Sequence, residues 1–119
     1  MKIAIPSSGT DLSAPMDARF GRAKYFLIHD TDSKETAIVE NRQNLNASQG
    51  AGIQSAQAIV QAGAKVLLAG HCGPKAFAVL DKAGVKVFLA TSGSAGEAVR
   101  AYLAGTLTAT DSADVEGHW

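Results

Sequence analysis

The sequence predicts a three-layer α/β domain with about five strands in a mixed sheet. Three observations carry this. The first half reads as strand, strand, strand, with a compact turn between the last two. The second half alternates helix and strand. A short internal echo, "AGAKVLLA" at 62–69 and "AGVKVFLA" at 83–90, repeats a helix stop followed by a strand.

"KIAIP" is a first short strand, and "KYFLIHD" a second, its aromatic and branched residues bounded by polar turns. "ETAIVE" is a third, and "TDSK" before it is a turn, so strands two and three form a hairpin and the sheet is mixed. After "NRQNLNASQG", the segment 51–61 places Ile53, Ala56 and Val60 at helical spacing, and Gly63 suits a left-handed cap. "PKAFAVLDKA" starts a helix at Pro74 with Phe77 and Leu80 on one face; "SAGEAVRAYLAG" gives another with Ala95, Val99 and Tyr102. Helices between strands imply parallel pairing through right-handed crossovers. The domain is expected to span 1–105. The stretch 106–119, "TLTATDSADVEGHW", lacks apolar periodicity and is expected to be a mobile tail, with Trp119 either frayed, folded back or presented to a partner.

With 119 residues the chain fits one domain, and 46% hydrophobic with 18% charged residues is an ordinary globular balance. Eleven basic residues match eleven acidic ones, which excludes the broad positive field that nucleic-acid binding rests on. One cysteine makes no internal disulfide, and "MKIAIP" is too short an apolar run for a signal peptide or a membrane span. A cytoplasmic protein, monomeric or weakly dimeric, with no membrane contact is expected.

If strands one, three, four and five run parallel, five loop segments crowd the edge at their carboxyl ends: "SSGTDLS", "MDARFGR", "NRQNLNASQG", "GHCGP" and "TSGSAG". Ligands of open α/β sheets bind at that edge. Pro74 fits the first helical position and leaves Cys72 and Gly73 beside outward-facing N–H groups, which favour an anion and lower the pKa of a neighbouring thiol. Cys72 is thus a partly ionised thiol or, equally, a small buried filler. His71 beside it reads as a ligand or as a hydrogen-bonded structural histidine. Arg19 and Arg22 can clamp an anion with Phe20 packed beneath, or pair with carboxylates such as Asp17. Met16 either fills space or joins Cys72 in offering soft sulfur to copper(I).

Several enzyme classes lack their parts. There is no P-loop and no G-x-G-x-x-G after the first strand. "SSGTDLSAP" is similar to a hydroxyl-rich flavin phosphate loop, but Pro15 and Gly21 leave little room for the helix that should follow. "KIAIP" has no carboxylate for a two-metal nuclease of the ribonuclease H type, and the one cysteine and scattered histidines lack zinc-site spacing. Ser7, Ser8 and Cys72 have no motif-defined base. A loop edge of N–H groups, amides and arginines suits binding without transformation.

"DARFGRAKYFLIHD", "NLNASQGAGIQSAQAIVQAGAKVLLAGHCGPKAFAVLDKAGVKVF" and "EGHW" resemble the dinitrogenase iron-molybdenum cofactor biosynthesis family, also called the nitrogenase accessory factor family. The likeness runs from Lys2 to about Leu103. Its motifs are R-F-G-R before strand two, G-A-G-I opening the first helix and G-x-x-G-P-x-A opening the second. The resemblance implies a ribonuclease H-like motif with strand order 3-2-1-4-5, strand two antiparallel, used without nuclease chemistry. It also implies carriage or assembly of metal-sulfur clusters. The single-domain length and lone Cys72 look most like the orange protein branch, which carries a molybdenum-copper sulfide cluster; an iron-molybdenum cofactor precursor is the alternative cargo. Such a cluster is a bulky anion with a soft surface, which N–H groups, arginines and apolar contacts can hold, and one thiol cannot supply the cysteine set of an ordinary iron-sulfur cluster.

The expected site is therefore Ser8, Arg19, Phe20, Arg22, Asn46, His71, Cys72 and Gly73, with Cys72 and His71 as metal ligands, in a non-catalytic carrier. A regulatory module working with a protein partner such as a P-loop ATPase is a second reading. A small enzyme acting on a phosphorylated ligand is a third.

Overall fold

In the computed structural model, which describes residues 1–17, 19–41, 51–70, 72–90 and 93–110, six strands share one sheet. They are β1 (Lys2–Ser7), β2 (Tyr25–Asp30), β3 (Thr36–Glu40), β4 (Val66–Ala69), β5 (Lys86–Leu89) and β6 (Thr108–Thr110). Three helices, α1 (Ala51–Gln61), α2 (Pro74–Lys82) and α3 (Ala95–Leu103), and a 3-10 turn at Phe20–Arg22 complete the described elements.

The strand order is β3-β2-β1-β4-β5-β6. β1, β4 and β5 pair in parallel, while β2 is antiparallel to both β1 and β3, and β6 is antiparallel to β5. The expected order of five strands is present and a sixth strand is added. Thr108–Thr110 comes from the segment read as a tail. Its pairing runs through the backbone, with Ala109 opposite Phe88, and an edge strand of three residues needs no apolar alternation. Leu107 packs with Phe88 and Tyr102 against the core. Trp119 and the rest of 111–119 lie outside the described residues.

Strand alternation splits the core into two layers. On one face Ala4, Phe26, Ile28, Leu67, Ala69 and Val87 pack under α1 and α2; on the other Ile3, Ile5, Leu27, Val66 and Leu68 pack under α3. The three-layer architecture is thus present, with two helices on one face and one on the other. In α1 the fully buried stripe is Ser55, Ala56 and Ile59. Ile53 and Val60, which the periodicity places inside, are half-buried. The two echoed segments each turn through a glycine in the left-handed region, Gly63 (φ 89°) and Gly84 (φ 79°), before entering β4 and β5.

Candidate functional site at the loop edge

β1, β3, β4 and β5 share one direction, so their carboxyl ends, and the start of β2, lie at a single sheet edge. Cross-links tie segments there together. Pro15 bridges Ser94 and Met16 bridges Ser7; the Met16 N–H donates to the Gly93 carbonyl at 3.1 Å and the Asp17 N–H to the Pro6 carbonyl at 3.0 Å. The loop after β1 is thereby strapped to the entry of α3.

Ser8, just past β1, is exposed and turned inward on its own loop: its Oγ donates to the Pro15 carbonyl at 3.1 Å. Arg19 and Arg22 flank the 3-10 turn, closed by the Arg22 N–H donating to the Arg19 carbonyl at 3.2 Å. The pairing of Arg19 with Asp17, one of the two sequence readings, is present. Its Nε lies 3.4 Å from Asp17 Oδ1, yet its side chain is 63% exposed. Arg22 is also exposed. Phe20 is buried and meets Phe26 with ring centroids 5.2 Å apart, so it anchors the turn in the core while the arginines stay in solvent.

Gly73 is the N-cap of α2 and supplies no side-chain cap, and Pro74 follows at the start of the helix. The first-turn N–H groups of Lys75 and Ala76 therefore lack the acceptor that a Ser, Thr, Asn or Asp cap would provide. Cys72 is a free thiol, 3% exposed, within the core layer that also holds Phe20, Ala69 and Ala76. That burial matches the filler reading of Cys72. Met16 is buried in the opposite core layer, which matches its packing role and separates it from Cys72 by the sheet. His71 and Asn46 lie outside the described residues. His29 is buried, with Nδ1 3.0 Å from Thr36 Oγ1, a structural pairing away from the edge.

Carboxylates on this edge are committed to donors within their own turns. Asp11 is held below the usual range, first by the Ser13 hydroxyl and then by the Ser13 N–H. Glu97 is likewise held down, first by the Ser94 N–H. Among the described residues no three His, Cys, Asp or Glu side chains converge as a metal site. None of the helices among them is long and apolar enough to cross a membrane. At this edge two exposed arginines and a helix start without a side-chain cap stand beside a core layer that contains Phe20 and Cys72.

Two polar residues near the edge escaped the sequence reading. Asn41 and Ser55 are buried and bonded to each other, Ser55 Oγ donating to Asn41 Oδ1 at 3.1 Å. The available signal was a serine within the apolar stripe of α1.

Comparison with known proteins places this geometry among relatives. A family model described as dinitrogenase iron-molybdenum cofactor matches residues 1–105. The apo form of the orange protein from Desulfovibrio gigas is similar with a TM-score of 0.92 and 36% identity, over 96% of this chain and 96% of that one. The Thermotoga protein TM1290 gives a TM-score of 0.82 at 38% identity, over 96% of this chain and 98% of that chain. Protein MJ0580 of Methanocaldococcus jannaschii is 33% identical over 110 residues, 90% of this chain and 89% of its own length.

Proposed function

Because the chain belongs to the dinitrogenase iron-molybdenum cofactor family, we propose that it is a non-catalytic carrier whose cargo is a metal-sulfur cluster held at the loop edge. The orange protein, solved in an apo form, supports a binding role rather than turnover. The finer reading is a molybdenum-copper sulfide cluster, in a ribonuclease H-like motif extended by β6 and used without nuclease chemistry.

The observation that carries the proposal is that two exposed arginines and a helix start without a side-chain cap both belong to segments at the edge where the parallel strands end. A thiomolybdate-type cluster is anionic, polarisable and larger than a single ion. Guanidinium forks and backbone N–H groups suit its sulfide surface as charge-assisted donors. The cargo is held by Arg19, Arg22 and the first turn of α2. Ser8, Asn46 and His71 belong to the same segments, and Phe20 and Cys72 form the floor. Attachment is noncovalent or through few ligands, with Cys72 and His71 as the candidate metal ligands.

Anaerobic isolation from the native host, with a visible spectrum and metal and acid-labile sulfide analysis on one sample, tests this. Molybdenum and copper in stoichiometric amount with sulfide and charge-transfer bands are expected. A colourless protein that also takes up no tetrathiomolybdate with copper(I) would overturn the carrier reading.

A further inference from the structure

Two segments of the proposed site are joined by a buried side-chain amide. Asn41 is 2% exposed and Ser55, on α1, 0%. Asn41 Nδ2 donates to the Ala23 carbonyl at 2.8 Å and more weakly to the Gly21 carbonyl at 3.4 Å. Its main-chain N–H donates to the Lys24 carbonyl at 3.0 Å. On its other side Asn41 Oδ1 accepts from Ser55 Oγ at 3.1 Å. The carbonyls of the arginine turn therefore face the donor end of one amide, and α1 faces its acceptor end. A flipped amide would set oxygen against two carbonyls, so the orientation is dictated by the network.

The connection continues beyond α1. Gly52, three residues before Ser55, approaches α2 so closely that a β-carbon there would stand 3.3 Å from Ala76 Cβ. Ala76 belongs to the first turn of α2, just after Cys72 and Gly73. A line of packed and hydrogen-bonded groups thus runs from the arginine turn through Asn41, Ser55 and Gly52 to the helix start that offers N–H donors.

We infer that Asn41 and Ser55 are positioning residues for the cargo: they hold the Arg19–Arg22 turn at fixed distance from the first turn of α2, so that both sets of donors are preorganised for one anion. The inference rests on the carrier reading above for its ligand, and on the Asn41 and Ser55 hydrogen bonds and the Gly52–Ala76 contact for its geometry. Preorganisation adds affinity because the donors need not be ordered when the ligand arrives.

The test compares the full-length protein with Asn41→Asp, Ser55→Ala and Val99→Ala. The aspartate keeps the acceptor for Ser55 but sets a carboxylate against the Gly21 and Ala23 carbonyls; the alanine at 55 removes the donor to Asn41 and leaves a foldable core. Val99, on the opposite core layer, supplies a destabilised control. Two quantities are read: amide hydrogen exchange at Arg22 and Asn41 relative to Leu67 and Val87, and affinity for tetrathiomolybdate with copper(I). Both network variants are expected to speed exchange at Arg22 and Asn41 selectively and to weaken binding about tenfold, the size of one lost buried hydrogen bond. Val99→Ala lowers the melting temperature and leaves affinity unchanged. Unchanged local exchange, or unchanged affinity, in a folded Ser55→Ala protein would overturn the inference. If the parent protein binds no probe, the carrier reading falls, and exchange at Arg22 and Asn41 still decides whether the pair holds the turn.

Discussion

Gly52 and Ala76 set the separation of α1 and α2, because a β-carbon on Gly52 would lie 3.3 Å from Ala76 Cβ. Both residues sit in the first turns of their helices and face each other. A branched side chain cannot enter this contact without driving the helices apart. Gly52→Val is therefore expected to lower stability by about 1–3 kcal/mol, measured by chemical denaturation, and to loosen cargo retention through the displaced start of α2.

The entry of α3 depends on a reciprocal cap. Ser94 Oγ accepts from the Glu97 N–H at 3.1 Å, and the Glu97 carboxylate accepts from the Ser94 N–H at 3.0 Å. Ser94→Ala should cost roughly 0.5–2 kcal/mol, seen as a lowered melting temperature. The Ser94 N–H, first, and then the Ser94 hydroxyl hold Glu97 below its ordinary value. Its contribution is thus fully present above the ordinary glutamate range and is lost as pH falls through the depressed folded value. A Glu97→Ala protein should accordingly show a shallower loss of stability in acid than the parent, measured by denaturation across that range.

Among the described residues, the Arg19 side chain meets Asp17 at 3.4 Å, and its main-chain N–H donates to the same carboxylate. Arg19→Ala should change stability by less than about 1 kcal/mol. It should nevertheless weaken binding of tetrathiomolybdate with copper(I), as should Arg22→Ala, and the parent's binding should fall with added salt. Titrations at two ionic strengths read both effects.

Cys72 is almost fully buried, so in the cargo-free protein its thiol should react slowly with a bulky disulfide reagent and rapidly in denaturant. Fast native labelling would place the thiol at the surface and show that the loop opens readily.

Much of the fold was legible because its signals are local. The echoed segments contain β4 and β5, Pro74 begins one helix, the spacing of Ala95, Val99 and Tyr102 marks another, and "TDSK" turns the hairpin. The direction of each strand followed from these, and with it the edge where the loops meet. β6 was hidden because Thr108–Thr110 pairs through backbone groups whose partner, β5, is specified by tertiary register. Ser55 was hidden for a different reason: a polar residue on a helix reads as solvent-facing until its buried partner, Asn41, is seen. Arg19 and Arg22 stood out in the sequence because two arginines three residues apart flank Phe20 and Gly21 just before a strand. The role of Cys72 could not be chosen between thiolate and filler from a helix start alone; that its side chain is buried in the Phe20 layer is tertiary information the sequence does not carry.

In the proposed carrier the arginine turn and the start of α2 together retain a metal-sulfide anion. The most direct measurement is anaerobic reconstitution with tetrathiomolybdate and copper(I), then desalting and assay of molybdenum, copper and sulfide per chain, for the parent and for the Arg19→Ala/Arg22→Ala protein. Retention by the parent and its loss in the folded double variant is the expected result. Equal retention by both would contradict the account, since the cluster would then be held by other residues.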